Sequence, residues 1–140
     1  RMQLVYDDGS IRFINDSKAT NVSAANLAID SFKDIFWMGG GYSKNNDLSK
    51  LNLSSSEIKG VFLIGSAASE IKKLSPRDKK PSIYRNLKDA TEAAFKAAKK
   101  NKKGSILLSP GCSSHDQFRN YEDRGSFFIK IISSLTSKAG

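Results

Sequence analysis

The chain has 140 residues, which fits one domain at about 100–200 residues each, and 23 basic against 14 acidic residues set its formal charge at +9. With 39% hydrophobic and 26% charged residues it has the material for a core and is not a disordered tail. One cysteine, Cys112, and one histidine, His115, exclude a disulfide scaffold and a structural zinc site, and no apolar run approaches the roughly 18 residues of a membrane span. The opening Arg1-Met2-Gln3-Leu4 is not a secretory signal, so the expectation is a soluble domain of a reducing compartment, cut from a longer protein.

Two short apolar runs, Gln3 to Tyr6 and Ile11 to Ile14, flank Asp7-Asp8-Gly9-Ser10 and predict a β-hairpin. Asn21 then caps a helix with Val22, Ala25, Ile29 and Phe32 at helical spacing. Ile35-Phe36-Trp37-Met38 is too short and too apolar for anything but a buried strand, ended by Gly39-Gly40-Gly41. A polar stretch with a short helix over 47–57 leads to a strand at Val61 to Ile64, and a helix follows over Ala67 to Leu74. Ser75 to Arg85, with two prolines, reads as a surface loop. Asn86 caps a helix bearing Leu87, Ala90, Ala94 and Ala98, with lysines at its carboxyl end where the dipole favours cations. After a strand at Ile106 to Leu108, the last helix carries Phe127, Phe128, Ile131, Ile132 and Leu135, with Asp116-Gln117 as a candidate start.

Strands apolar throughout, alternating with amphipathic helices, predict a Rossmann-like α/β fold. Its sheet is mainly parallel and covered on both faces, with the hairpin as an antiparallel edge. Ligands gather beyond the carboxyl ends of such strands. Four strand ends run into Gly- or hydroxyl-rich loops there: 16–20, 39–44, Gly65-Ser66 and 109–114. Lys18 and Lys44 can each meet a carboxylate or phosphate, and Thr20, Ser109, Ser113 and Ser114 add hydroxyls, a set suited to a small dianion. Alternatively Thr20 and Asn21 only cap a helix and both lysines are solvated. No G-x-x-x-x-G-K-[ST] loop occurs, so the chain has no visible cradle for a triphosphate. Cys112, His115 and Asp116 invite a cysteine-nucleophile reading, against which stands a buried structural thiol. Arg77, Lys79, Lys80, Lys99, Lys100, Lys102 and Lys103 form a basic run without interleaved aromatics, which reads as a solvated surface and not as a nucleic-acid site.

The motifs Asp16-Ser17-Lys18-Ala19-Thr20-Asn21, Gly40-Gly41-Tyr42-Ser43-Lys44, Ser109-Pro110-Gly111-Cys112-Ser113-Ser114-His115-Asp116-Gln117-Phe118 and Tyr121-Glu122-Asp123-Arg124-Gly125 occur in that order. Together they closely resemble the C-terminal domain of the Mur ligase family, in its D-glutamate-adding branch, across essentially the whole of residues 1–140. The resemblance implies a three-domain bacterial, cytoplasmic, monomeric enzyme of peptidoglycan synthesis, in which this domain closes over a central ATP-binding domain absent from the chain. It implies ATP and Mg2+, held mainly by that central domain, and the substrates D-glutamate and UDP-N-acetylmuramoyl-L-alanine, joined through an acyl phosphate. By the same resemblance Lys44 and Thr20 hold the α-carboxylate of the glutamyl part, and Ser114 and Tyr121 meet its side-chain carboxylate. Lys18 is a further contact in the cleft, and Asp16 and Arg1 lie near the nucleotide. Gly111, His115 and Tyr121 depart from the Ala, Leu and Phe common in the family. The competing reading is a stand-alone basic binding module for an anionic partner.

Overall fold

A hairpin opens the computed structural model, which describes residues 2–139 and so leaves the expected nucleotide contact at Arg1 outside the described residues. Strand β1 (Gln3–Asp7) pairs antiparallel with β2 (Ile11–Asn15), and the Asp8 carboxylate closes the turn by accepting the N–H groups of Ser10 and Ile11 at 2.9 and 2.8 Å. The remaining elements are helix α1 (Val22–Ile29), strand β3 (Ile35–Gly40), strand β4 (Ile58–Ile64), helix α2 (Ala68–Leu74), the two-residue strand β5 (Ser82–Ile83), helix α3 (Leu87–Asn101), strand β6 (Gly104–Leu108) and helix α4 (Tyr121–Ala139). They build one six-stranded sheet in the order β1-β2-β6-β3-β4-β5, parallel in every pair except β1-β2.

Strand alternation sends side chains to two separate cores, as expected for a sheet covered on both faces. Ile35, Trp37, Val61, Leu63, Ile14 and Leu107 face α1 and α2. Phe36, Met38, Phe62, Ile64, Phe13, Ile106 and Leu108 face α3 and α4. Both predicted asparagine caps form: Asn21 accepts from the Ala24 N–H at 2.9 Å and Asn86 from the Asp89 N–H at 2.8 Å.

Several element limits differ from the sequence reading, each with a local cause. Helix α1 ends at Ile29, so Phe32 reaches the core from the loop beyond it. Strand β3 continues through Gly40, because β4 pairs with it as far as Ile64. Instead of a helix over 47–57, Asp47 caps a single 3-10 turn at Leu48–Lys50, followed by turns that bury Leu51 and Leu53. The loop at 75–85 contains another 3-10 turn, Arg77–Lys79, and β5, which β4 templates. Lys79 leaves the expected basic surface, since it is buried and donates from Nζ to the Ser55 carbonyl at 2.9 Å. The last helix starts at Tyr121, not at Asp116, because the Asn120 side chain accepts the Asp123 N–H at 2.8 Å while Asp116 is used elsewhere. On α4, Phe128, Ile131 and Ile132 are buried, whereas Phe127 is exposed and leans on Phe118.

Candidate functional site

Since β2, β6, β3 and β4 run parallel, their carboxyl ends fall on one edge, and the four loops leaving them interlock there. Asp16 N–H donates to the Leu108 carbonyl at 2.8 Å, and Gly111 N–H to that of Ala19 at 2.8 Å, which joins the loops after β2 and β6. Gly40 N–H reaches the Pro110 carbonyl at 3.0 Å, while Tyr42 and Ser113 exchange N–H···O bonds at 2.9 Å, tying in the β3 loop. The β4 end closes the set: Ala67 N–H donates to Gly41 O at 2.9 Å, and Ser66 N–H to an Asp116 carboxylate oxygen at 2.9 Å.

This interlocking explains the glycines at 39–41, because what approaches the backbone they leave bare is protein. Gly41 sits at φ +131° with the Ser113 carbonyl where a Cβ would go, and a Cβ on Gly65, at φ +82°, would meet Gly41 Cα at 2.6 Å. Positive φ and lack of space both demand glycine.

A buried arginine clamps two of these loops. Arg124, from the first turns of α4, donates from Nη2 to the Ser17 carbonyl at 2.7 Å, from Nε to Ser17 Oγ at 2.9 Å and from Nη1 to the Cys112 carbonyl at 3.1 Å. Ser17 Oγ donates its own hydrogen bond to the Tyr121 carbonyl at 2.7 Å. Burial lowers the Arg124 pKa to about 10, which still leaves it charged at neutral pH. Beside it, burial pushes the Cys112 thiol up to about 12 despite the neighbouring Arg124, so the buried-thiol reading holds and the nucleophile reading does not. Asp16 is buried as well: desolvation raises its pKa, opposed by the Ser109 hydroxyl, which donates to it at 2.7 Å. The Ser109 carbonyl in turn accepts the Trp37 indole N–H at 3.0 Å.

The same edge presents Lys18 and Lys44 outward and leaves Thr20 half-buried, whereas Ser109 and Ser114 are buried. Lys18 and Tyr121 line one cavity of about 270 Å3, together with Gln3, Asn15, Ser17 and Glu122. Thr20, Lys44 and Ser114 lie outside that cavity, on the neighbouring loops. Asn46 connects them, donating from Nδ2 to the Gly111 carbonyl at 3.1 Å and to the Thr20 carbonyl at 3.5 Å, two residues on from the exposed Lys44. Ser114 is buried, and its carbonyl accepts the Phe118 N–H at 2.8 Å.

Comparison with known proteins finds relatives that cover nearly the whole chain. An enzyme of Bartonella henselae named UDP-N-acetylmuramoylalanine–D-glutamate ligase is 42% identical over 137 residues, 96% of this chain and 29% of that protein. Ligases of the same name from a Wolbachia of Brugia malayi and from Buchnera aphidicola are each 39% identical, over 96% and 97% of the chain and 27% and 31% of their own lengths. The chain is homologous to a segment of these ligases. It spans less than a third of the length of the curated relatives it matches. No family model matches the chain.

The homologous segment contains residues that sequence reasoning did not single out. Arg124 left a readable signal: with Phe128, Ile131, Ile132 and Leu135 it falls on one apolar helical stripe, where a charge must find buried partners. Asn46 left none, and Asp116, noticed for other reasons, gave no sign of its bond to Ser66, because both roles are contacts between loops distant in sequence. Tyr121 keeps its half-buried ring at the cavity, although its carbonyl is already taken by Ser17.

Proposed function

We propose that this chain is the C-terminal, D-glutamate-binding domain of a bacterial ligase that joins D-glutamate to UDP-N-acetylmuramoyl-L-alanine in peptidoglycan synthesis, in the cytoplasm. The observation that carries this reading is the interlocked edge bearing Lys18, Thr20, Lys44 and Ser114, in a chain homologous over 96% of its length to ligases of that name. A dicarboxylate amino acid needs cations and hydroxyls presented by several rigid loops, and a clamp of buried hydrogen bonds holds those loops here. Lys44 and Thr20 would take the α-carboxylate, Ser114 and Tyr121 the side-chain carboxylate, and Lys18 would line the shared cleft.

The donor set does not fit a bound nucleotide and metal by itself. There is no phosphate loop in the sequence, and among the described residues no group of three carboxylate, imidazole or thiol side chains could hold a metal ion. ATP and Mg2+ would therefore be held mainly by another domain, with Asp16 contributing at the nucleotide's margin. That domain, closing on this edge, would complete the site. In the reaction the alanyl carboxylate takes the γ-phosphoryl group of ATP, releasing ADP, and the glutamate amine displaces phosphate to form the amide. The residues here bind and orient the amine-bearing substrate.

The test is an ATP-dependent ligation assay on the full coding frame, with Lys44→Ala raising the KM for D-glutamate by about tenfold or more and leaving the KM for ATP unchanged. An unaltered glutamate KM would overturn the assignment of Lys44. A coding frame without a Gly-Thr-x-Gly-Lys-[Ser/Thr] loop would overturn the ligase reading itself.

A further inference from the structure

On the α3/α4 face, a groove of about 540 Å3 lies between the second half of α3 and the β4-β5 margin. It involves the lower half of β4 and the carboxyl end of α3, which places it toward the amino ends of the strands and away from the interlocked edge. Small residues shape it: Ala93 and Ala97 form the helix wall, and Gly60 lets the Phe62 ring lie down on the sheet. A Cβ at Gly60 would meet the Phe62 ring at 2.8 Å. Phe36 and Phe62 form the floor, with Tyr84 stacked on Phe62 at 6.1 Å between centroids and 24° between planes.

Four exposed lysines ring this apolar floor: Lys59 and Lys80 on the sheet side, Lys96 and Lys100 one helical turn apart on α3. No acidic residue lines the groove, and among the described residues none of the four is in an ion pair. Lys80 and Lys100, two members of the basic run, therefore do have aromatic neighbours. They come from β4 and the segment after β5, distant in sequence from the helix that carries Lys96 and Lys100.

We propose that this groove docks an acidic polypeptide segment of a partner protein. One apolar or aromatic side chain would be seated between Tyr84 and the alanine wall of α3, Ala93 and Ala97, with carboxylates reaching the lysines on both walls. Cations on two facing walls complement a chain bearing acidic residues on either side of an anchor. Single-stranded nucleic acid fits less well, because successive bases need a row of open ring faces, whereas Phe36 and Phe62 are 3% and 8% exposed and Tyr84 offers at most one face, enough for a single anchor only. The position away from the interlocked edge leaves the groove open when another domain closes there.

The test uses a fluorescein-labelled random copolymer of glutamate and tyrosine, with polyglutamate and oligo(dT) as comparison probes, and reads anisotropy on the chain. The copolymer is expected to bind more tightly than polyglutamate. K96E/K100E should weaken it by about tenfold or more, while K72E/K73E on α2 leaves it within about twofold. Ala97→Leu fills the groove without changing charge and should weaken the copolymer by about fivefold, toward polyglutamate. Equal binding of copolymer and polyglutamate, equal loss in the two charge variants, or no copolymer binding would each overturn the proposal. Displacement of the copolymer by oligo(dT), lost in K96E/K100E, would assign the groove to nucleic acid instead.

Discussion

Replacing Arg124 by alanine tests directly whether a buried guanidinium holds the functional edge together. Three of its N–H groups are engaged, two of them with the carbonyls of Ser17 and Cys112 at 2.7 and 3.1 Å. Ser17 Oγ keeps a partner in the variant, because it still donates to the Tyr121 carbonyl at 2.7 Å. The two carbonyls do not, and each orphaned buried acceptor costs about 1–3 kcal/mol, so the expected loss is roughly 2–6 kcal/mol before any cavity is counted. Against a typical stability of about 5–15 kcal/mol, this is a large fraction. Arg124→Met fills most of the volume but satisfies neither carbonyl, and should lose nearly as much. Arg124→Lys restores a charge and can reach one carbonyl, so it should fall between. Urea unfolding followed by far-ultraviolet circular dichroism gives each value from the midpoint and slope, with the slope expected to stay constant. A loss below about 0.5 kcal/mol in Arg124→Ala, the range of an ordinary surface change, would refute the clamp.

Three further outcomes follow from the same neighbourhood. Burial raises the Asp16 pKa above 3.8, so its favourable contribution is present below pH 3.8 and is lost as pH rises through the folded-state value. Asp16→Asn should therefore match wild type near pH 3.5 and gain stability relative to it by pH 6; a constant difference across that range would contradict the burial argument. Cys112, with its pKa near 12, should resist Ellman's reagent at pH 8 in the folded chain and react at once in urea, whereas fast native labelling would show that the thiol is reachable. Gly65→Ala should lower stability by more than about 1 kcal/mol, because the residue sits at φ +82° against Gly41; an unchanged melting temperature would show that the two loops can separate freely.

Strand and helix types were legible because local signals agree with the fold. Ile35 to Met38 is apolar at every position, which only a doubly covered strand tolerates, and Asn21 and Asn86 announce their helices by the caps they form. The carboxyl-end rule then located the loops bearing Lys18, Thr20, Lys44 and Ser114. What stayed illegible were interactions that no short window contains. Asp116 looked like a helix start because an acid near a helix amino end is favourable, but the Ser66 N–H, 50 residues away, claims its carboxylate. β5 was invisible for a similar reason: two residues carry no periodicity, and only the exposed edge of β4 makes Ser82 and Ile83 a strand. The glycines at 39–41 were visible as special, yet their surroundings, and hence their purpose, depend on Ile64 and Ser113.

The sheet order also has a consequence for how the chain matures as it is synthesised. β6 is the last strand to emerge, yet it occupies the middle of the sheet, between β2 and β3. Until residues 104–108 are available, the hairpin of β1 and β2 has no hydrogen-bonded route to the β3-β4 pair. The nascent molecule is then two partial sheets, each exposing an unpaired parallel edge. Insertion of one buried five-residue strand, Gly104 to Leu108, joins both halves at once and brings the 109–114 loop against the 16–20 loop. A polypeptide stopped before residue 104 therefore lacks the joining strand, and the sheet closes only once residues 104–108 are available.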